Sequence, residues 1–268
     1  MAQPSNTPIL VGILNVTPDS FSDGGKYVDP LVAIEHGKKL FADGADIIDI
    51  GGVSTRPGSS EITIEEEWKR ISPVVQELLP YGEVSVDTYR AEVAKRALQV
   101  GVKIINNVFP FFEKEIFSLV AEFDAKLVAM HSRCSAPHVF SPVPQGDIVE
   151  RVKGFFAQVI EEANAHGLSN EKLILDSGMG GFVSDAPNDS WELIHRFGEL
   201  ACFGVPLYFG SSRKGFLKCK GEQDVSERDA LSAFSGYLAF QSLVGAQQLH
   251  IRTHNILMQK SFFEVKGL

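Results

Sequence analysis

Cysteine is scarce in this chain, and nothing at its start looks like an export signal. Only three cysteines occur among 268 residues, and no two of them form a CxxC pair. An odd number of isolated cysteines argues against a disulfide framework and favours a reducing compartment. The first eight residues are mostly polar and lack the basic segment and apolar run of a secretory signal. We therefore expect a cytoplasmic protein.

Positive charge and long apolar runs are also in short supply. The chain has 25 basic against 34 acidic residues, a formal net charge of −9 and an isoelectric point near 5.3. Nucleic acids and anionic membranes attract proteins of the opposite sign, so neither is expected as a partner. The sequence contains no uncharged apolar run of the roughly 18 residues that a membrane-spanning helix needs. Small molecules are the expected partners, because a local basic cluster still binds a small anion.

The sequence is rich instead in short apolar runs that alternate with longer amphipathic segments. Runs of three to six residues rich in Val, Ile and Leu are typical of strands buried on both faces of a parallel sheet. We predict eight strands, at residues 9–14, 45–50, 83–86, 103–105, 126–130, 172–175, 206–209 and 248–251. We predict a helix after each strand, at residues 30–43, 64–79, 90–100, 113–123, 147–166, 187–200, 227–244 and 255–265.

Eight strand–helix units in a chain of this length favour a closed (β/α)8 barrel, the TIM barrel, within the α/β class. A doubly wound open sheet is the alternative. The chain shows no internal repeat and no Pro/Ser-rich linker. We therefore predict a single barrel domain over residues 1–268.

Polar side chains follow every predicted strand, whereas the helix-to-strand connections read as plain turns. Functional residues of such barrels lie on the loops after the strands, so these side chains are expected to ring one pocket. The expected set is Asn15, Asp87, Asn106, Asp176, Ser212, Lys214, Arg252 and His254. Carboxylates, an amide and an ammonium suit the donor and acceptor edges of a flat heterocycle such as a pterin. The cations, among which we also count Arg56 and Arg213, suit a diphosphate.

Structural interpretations stay open at several of these positions. Asp87 and Asp176 alternatively cap the helices that follow them, and Asn106 is alternatively a satisfied core amide. Lys214 is alternatively a surface charge. Asp49 is expected to tie loops together rather than to bind a ligand.

Two long motifs follow the first two predicted strands. Residues 12–25 read GILNVTPDSFSDGG, and residues 49–58 read DIGGVSTRPG. A Ser-Arg-Lys triplet at residues 212–214 and the Arg252-x-His254 pair follow in the same order. Together these segments resemble those of dihydropteroate synthases. The match extends over nearly the whole chain, so the family resemblance is specific.

The resemblance implies a transferase of folate biosynthesis. Such an enzyme joins (7,8-dihydropterin-6-yl)methyl diphosphate to 4-aminobenzoate by an SN1-like route and releases 7,8-dihydropteroate and diphosphate. The resemblance also implies that Asp87, Asn106, Asp176 and Lys214 hold the pterin, with Arg252 against its ring. The same residues apart from Asn106 are the implied catalytic groups.

Further roles come from the same resemblance. It implies that 4-aminobenzoate and diphosphate are bound by Thr55, Arg56, Pro57, Ser212, Arg252 and His254. It implies Mg²⁺ as cofactor, with Asn15 as its protein ligand. A homodimer and a target of sulfonamide drugs are the further family expectations.

One segment departs from the family pattern. After the strand that ends near Asp176, the family has Pro, Phe and Lys where this chain has Ser177, Gly181 and Val183. The longer spacing before Pro187 is similar to the sulfonamide-resistant branch, although residues 54–58 keep the ordinary form. Phe182 is a candidate to replace the missing phenylalanine. Two alternatives therefore stay open, a catalytically weak pterin-binding paralogue and a pterin-dependent methyltransferase of the same fold.

Overall fold

The computed structural model describes residues 7–17, 29–53, 62–136, 139–143, 145–222, 224–244 and 247–264. The strands within these ranges are β1 (Ile9–Asn15), β2 (Ile47–Gly51), β3 (Glu83–Asp87), β4 (Ile104–Asn107), β5 (Lys126–Met130), β6 (Cys134–Ala136), β7 (Val139–Phe140), β8 (Leu173–Asp176), β9 (Leu207–Phe209) and β10 (Leu249–Thr253). The helices are α1 (Pro30–Ala42), α2 (Ile64–Leu78), α3 (Ala91–Gln99), α4 (Glu115–Glu122), α5 (Ile148–Ala165), α6 (Pro187–His195), α7 (Asp229–Gln241) and α8 (Ile256–Glu264).

Eight of these strands close into a parallel barrel. Their order around it is β1-β10-β9-β8-β5-β4-β3-β2, and β1 pairs with both β2 and β10. Val11 lies opposite Ile47 on one side and Arg252 on the other. The predicted (β/α)8 barrel is confirmed, and the open sheet is excluded because an open sheet would leave two unpaired edges. Among the described helices, none is both long and apolar enough to cross a membrane.

Several helices begin at a side chain that caps them. Asp29, Thr63 and Asp147 precede α1, α2 and α5, and each accepts a hydrogen bond from a backbone N–H of the first turn. Such caps satisfy N–H groups that have no partner inside the helix. Because these helices follow barrel strands, their capped ends lie at the carboxyl ends of the strands.

The helix predicted over residues 187–200 is divided in the structure. Helix α6 ends at His195, and a 3₁₀ segment covers Phe197–Phe203. Gly198 lies against the end of α7, where a Cβ atom would come within 2.1 Å of the Ser242 carbonyl oxygen. This close approach requires glycine, a poor helix former, so the regular helix stops before it.

Each barrel strand packs one face against the helices and turns the other toward the barrel axis. Leu207 and Phe209 belong to the large cluster between barrel and helices, whereas Tyr208 between them faces inward. The inward apolar layer consists of Val11, Ile47, Ile104, Val128, Ile174 and Tyr208. This layer fills the amino-terminal end of the barrel.

Polar residues occupy the next inward positions. Asp49, Asn106 and Asp176 each follow an isoleucine of the inward layer by two residues. Side chains two apart on a strand share one face, so these three point into the barrel nearer the carboxyl ends of the strands. The interior is therefore apolar at one end and polar at the other.

A small antiparallel hairpin of β6 and β7 follows β5, and the sequence analysis did not predict it. Arg133, just before it, donates from Nε to the Gly181 carbonyl at 2.7 Å and from Nη1 to the Ser141 carbonyl at 2.7 Å. Its Nη2 also contacts the Asp185 carboxylate. Arg133 thus fastens the hairpin to the turn that follows β8.

Candidate active site

Asp49 is the centre of a polar network inside the barrel. Its side chain is fully buried. Oδ1 accepts a hydrogen bond from Ser85 Oγ, and Oδ2 accepts from Asn106 Nδ2 at 2.9 Å and from Arg252 Nε at 2.7 Å. We expected Asp49 to tie loops together. It ties strands together instead, because these contacts join β2, β3, β4 and β10.

Arg252 bridges two carboxylates. Besides Asp49, its guanidinium donates from Nη2 to Asp87 Oδ2 at 3.1 Å. Burial and the neighbouring Asp49 charge raise the pKa of Asp87 to about 7, although Arg252 opposes the shift. One cation therefore balances the buried Asp49 and the partly buried Asp87, and the pKa of Asp87 lies close to neutral pH.

Asp176 and Lys214 form the other charged part of the cluster. Burial raises the pKa of Asp176 to about 6 against the opposing charge of Lys214. Burial likewise lowers the pKa of Lys214 to about 8, although Asp176 favours its charged form. Lys214 Nζ donates to the Met179 carbonyl at 2.9 Å and lies 4.8 Å from the centre of the Phe182 ring.

The turn after β8 brings Met179 and Phe182 to Lys214. Gly178 has a φ of +64°, and a Cβ atom there would lie 2.3 Å from the His131 carbonyl oxygen. Its backbone N–H donates to Asp176 Oδ1 at 2.8 Å. The turn therefore requires glycine at this position and fixes one oxygen of the Asp176 carboxylate.

Phe182 lies half-buried at the same edge. Its ring centre is 6.5 Å from that of Phe109 and 5.9 Å from that of Phe140 on the hairpin. Gly181 beside it is exposed. Phe182 and its neighbours form an aromatic surface here, and its replacement of the phenylalanine missing at Gly181 stays a prediction.

Ser212 and His254 meet at the ends of β9 and β10. Ser212 Oγ and His254 Nδ1 are 2.9 Å apart, and the His254 backbone N–H donates to the same oxygen at 3.1 Å. Arg213 points elsewhere: its guanidinium is paired with both carboxylate oxygens of Asp229 on α7. Two nitrogens of the Arg213 guanidinium are therefore already engaged by a carboxylate, and a role of this residue toward a diphosphate stays a prediction.

Thr55, Arg56 and Pro57 lie outside the described residues, but both flanks of their loop are held. Arg70 Nη1 donates to the Gly52 carbonyl at 3.2 Å, and Arg90 Nη2 donates to the Ile62 carbonyl at 2.7 Å. Both contacts come from segments that flank the barrel mouth.

The sequence analysis missed Glu67, which organises one of these contacts. Its carboxylate is buried and accepts from Thr88 Oγ1 at 2.8 Å and from Arg90 Nη1 at 3.0 Å. In the sequence, three consecutive acidic residues in the first turn of a helix suggest only a favourable interaction with the helix dipole. The signal that distinguishes Glu67 is its position one helical turn before buried Ile71, on the inward face of α2.

With this geometry established, the chain can be set beside known proteins. The family described as pterin binding enzyme matches residues 11–252. A dihydropteroate synthase of Staphylococcus epidermidis is 36% identical over 256 residues, covering 93% of this chain and 90% of that protein. One from Synechocystis is 39% identical over 223 residues, covering 82% and 76%. The chain belongs to the dihydropteroate synthase family.

Solved structures of dihydropteroate synthases share the fold of this chain. The structure from Clostridium difficile in the presence of pteroic acid has a TM-score of 0.86 and 34% identity, covering 98% of this chain and 96% of that one. The Xanthomonas albilineans protein with 4-aminobenzoic acid has a TM-score of 0.85 and 33% identity, covering 97% and 94%. The predicted enzyme class, a transferase of folate biosynthesis, is confirmed by this membership.

Mg²⁺, which the dihydropteroate synthase family implies, was tested against the donor atoms present. Within the described ranges, no group of three or more His, Cys, Asp or Glu side chains is arranged to hold a metal. Asn15, at the end of β1 opposite Gly51, offers one amide oxygen. Mg²⁺ prefers water and substrate phosphates with few protein ligands, so this sparse set fits an ion that arrives with a diphosphate.

Proposed function

We propose that the polar end of the barrel condenses (7,8-dihydropterin-6-yl)methyl diphosphate with 4-aminobenzoate, giving 7,8-dihydropteroate and diphosphate. The observation that carries this proposal is the convergence of Asp87, Asn106, Asp176, Lys214 and Arg252 inside one barrel mouth. These groups come from five different strands or strand ends. Their shared position matches a single flat ligand better than five separate structural tasks.

The pterin is proposed to lie among these side chains. The carboxylates of Asp87 and Asp176 accept hydrogen bonds from ring N–H and amino groups, and the Lys214 ammonium donates to a ring acceptor. Asn106 Oδ1 is buried and has no hydrogen-bond partner among the described residues, so it is a ready acceptor. A site built from such groups rejects ligands that leave them unpaired.

The chemistry then follows from charge. The methylene C–O bond breaks, diphosphate leaves with the bonding electrons, and the positive charge spreads over the electron-rich reduced ring. Asp87 and Asp176 stabilise that charge in a buried site where electrostatic effects are strong. The amine of 4-aminobenzoate attacks the methylene carbon and then loses a proton, so no strong protein base is needed.

The diphosphate leaving group is proposed to bind polar and basic side chains at the ends of the barrel strands. Arg252, Ser212 and His254 lie at the ends of β9 and β10, and we assign them with Thr55, Arg56 and Pro57 to diphosphate and 4-aminobenzoate. Asn15 is the proposed protein ligand of Mg²⁺. When bound, the ion neutralises negative charge on the departing diphosphate.

A single domain, a homodimer and a cytoplasmic location complete the proposal. Support for the dimer comes from large apolar side chains exposed on or next to α7 and α8. They are Phe234, Val244, Leu257 and Met258. A surface of this kind is suited to burial against a second copy.

The proposal is tested by following diphosphate release with the pterin diphosphate, Mg²⁺ and 4-aminobenzoate. Turnover that requires both substrates is expected. Pterin binding without turnover would instead identify a weak paralogue, and methyl transfer from a methylated folate would identify a methyltransferase.

Lys214→Ala tests the site directly. We expect at least about a hundredfold loss of kcat/KM together with weaker pterin binding, because a buried charged donor facing the ring is removed. Lys218→Ala is the matched control, since Lys218 is exposed four residues later. Near-parental kinetics of Lys214→Ala would remove this residue from the site.

A further inference from the structure

Tyr208 is an inward-facing side chain to which the proposed reaction assigns no task. It belongs to the inward apolar layer, and only 2% of its surface is exposed. Its position is opposite Asp176 on β8 and opposite His250 on β10. The ring is thus placed directly beside and below residues of the polar cluster.

The hydroxyl of Tyr208 is buried and has no hydrogen-bond partner among the described residues. Burial raises the pKa of this phenol well above its ordinary value; the charges of Asp49 and Asp176 add to the shift, and Arg252 opposes it. The hydroxyl therefore remains protonated, and Tyr208 is placed in register with Asp176, one of these site residues. A buried donor without an acceptor is unfavourable, and such groups are rare in folded proteins.

Asn106 carries the complementary unpaired atom. Its Nδ2 is committed to Asp49, whereas its Oδ1 is buried and lacks a partner in the described part of the chain. Tyr208 thus supplies a donor and Asn106 an acceptor, and both side chains point into the barrel, Asn106 in contact with the Asp49 carboxylate. A flat heterocycle with one acceptor and one N–H on the same edge would satisfy both.

The tyrosine ring is held in place by its neighbour. The rings of Tyr208 and His250 are stacked, with centroids 6.0 Å apart and planes 23° apart. His250 Nδ1 lies 3.2 Å from the Leu207 carbonyl oxygen, and burial lowers the histidine pKa to about 4, so the ring is neutral at neutral pH. A fixed ring fixes its hydroxyl, as selective recognition requires.

We propose that Tyr208 is a specificity-determining residue for the pterin, its hydroxyl donating a hydrogen bond to a ring acceptor at the floor of the pocket while Asn106 Oδ1 accepts from a ring N–H. This inference rests on the proposed function, because it assumes that the pterin is the ligand of this site. It adds a donor from the inward apolar layer to the charged groups above it.

The first test is Tyr208→Phe, which removes one oxygen and keeps the ring. Titration calorimetry with the pterin diphosphate and Mg²⁺ should show affinity weaker by about tenfold, the effect of one buried hydrogen bond. The KM for 4-aminobenzoate should stay within about twofold, because that substrate binds farther out. The Tm of the free protein should not fall, since no donor is left unpaired in the variant.

Tyr81→Phe is the matched control. Tyr81 is exposed at the opposite end of the barrel, in the turn before β3, so its loss should leave pterin affinity unchanged. Parental affinity in Tyr208→Phe would overturn the inference. A loss of affinity accompanied by a Tm several degrees lower would also overturn it, because it would mark a structural role.

A second test replaces acceptor atoms of the ligand. Binding is measured for pterins in which one ring acceptor at a time is replaced by carbon, with the parent and with Tyr208→Phe. One analogue should bind about tenfold more weakly to the parent yet lose nothing further in the variant. Equal losses of affinity in both proteins for every analogue would contradict the inference. Failure of the parent protein to bind any pterin would instead refute the proposed function.

Discussion

At the scale of single residues, Asp49 connects the side chains of the candidate site. A single carboxylate accepts from Ser85, Asn106 and Arg252, three residues on three other strands. The Arg252 guanidinium in turn reaches Asp87. Orientation of the two ligand-facing groups, Asn106 and Arg252, therefore depends on a residue proposed to touch no substrate.

Asp49→Asn tests this dependence through stability. We expect the free energy of unfolding to fall by about 3 kcal/mol, because the change leaves the partly buried Arg252 with one fewer charged partner. Urea denaturation measures the effect. The matched control is Asp43→Asn, which breaks an exposed pair with Lys39 and should cost about 0.5 kcal/mol or less. Equal small losses in both variants would contradict the central role of Asp49.

The pH dependence of activity follows from three shifted groups. The pKa values of Asp176 and Asp87 are raised to about 6 and about 7, so both acids lose their negative charge as the pH falls through this range. The pKa of Lys214 is lowered to about 8, so its positive charge disappears as the pH rises beyond that value. If the charged forms stabilise the transition state, kcat/KM rises with pH on the acid side and falls on the alkaline side.

This profile is measured from initial rates at saturating Mg²⁺ across the three pKa values. Asp176→Asn should make the remaining kcat/KM less dependent on pH on the acidic side of the profile. Asp185→Asn replaces an exposed acidic residue nearby and should leave this dependence unchanged. A rate that does not change between the lowest and highest of these values would contradict the assignment.

The position of a residue within its strand or helix explains whether it could be predicted as part of the candidate site. Asp87, Asn106 and Asp176 were predicted because a polar residue that ends an apolar run stands out locally. Tyr208 and Glu67 were not, since an aromatic inside a strand and an acid in a first helical turn are both ordinary. Their importance comes from the direction in which the side chain points, and only the closed barrel fixes that direction.

At the scale of elements, the hairpin of β6 and β7 is an addition to the eight strand–helix units of the barrel. Its connection to the turn after β8 depends on Arg133, which contacts Gly181, Ser141 and Asp185. The same turn carries the carbonyl of Met179 that binds Lys214. The hairpin therefore supports one wall of the proposed site from outside.

Arg133→Ala should loosen that wall. We expect a stability loss of about 1–2 kcal/mol from the lost hydrogen bonds, with a KM for 4-aminobenzoate raised by about fivefold. Thermal denaturation and steady-state rates measure the two effects. Arg196→Ala is the control, because Arg196 has three acidic partners among the outer helices. It should lower stability without changing KM. A parental KM in Arg133→Ala would show that the hairpin does not support substrate binding.

The hairpin also shows where prediction from local sequence stops. The barrel strands and helices were predicted because their apolar periodicity is contained within each segment. The hairpin is stabilised by an arginine that reaches Gly181, 48 residues away in the chain. The break after α6 has the same origin, since Gly198 meets Ser242 of a later element. Contacts between distant segments decide both features.

For the whole molecule, the fold was predictable from the repeated strand–helix units. The candidate site was predictable from the polar residues that follow every strand. Eight similar units have few ways to close, so their count indicated the barrel. Polar residues after every strand then had to share one end. The depth of each residue below that end was not predictable, because it depends on the tilt and stagger of the strands.

The inward apolar layer of Val11, Ile47, Ile104, Val128, Ile174 and Tyr208 has a kinetic consequence. Within the described part of the chain it fills the barrel below the charged residues, so ligands of the proposed site would arrive and depart through the upper opening. A reactant seated on this layer must enter before its partner and is the last to be replaced. If the pterin is that reactant, the packing of six side chains imposes an order on the catalytic cycle.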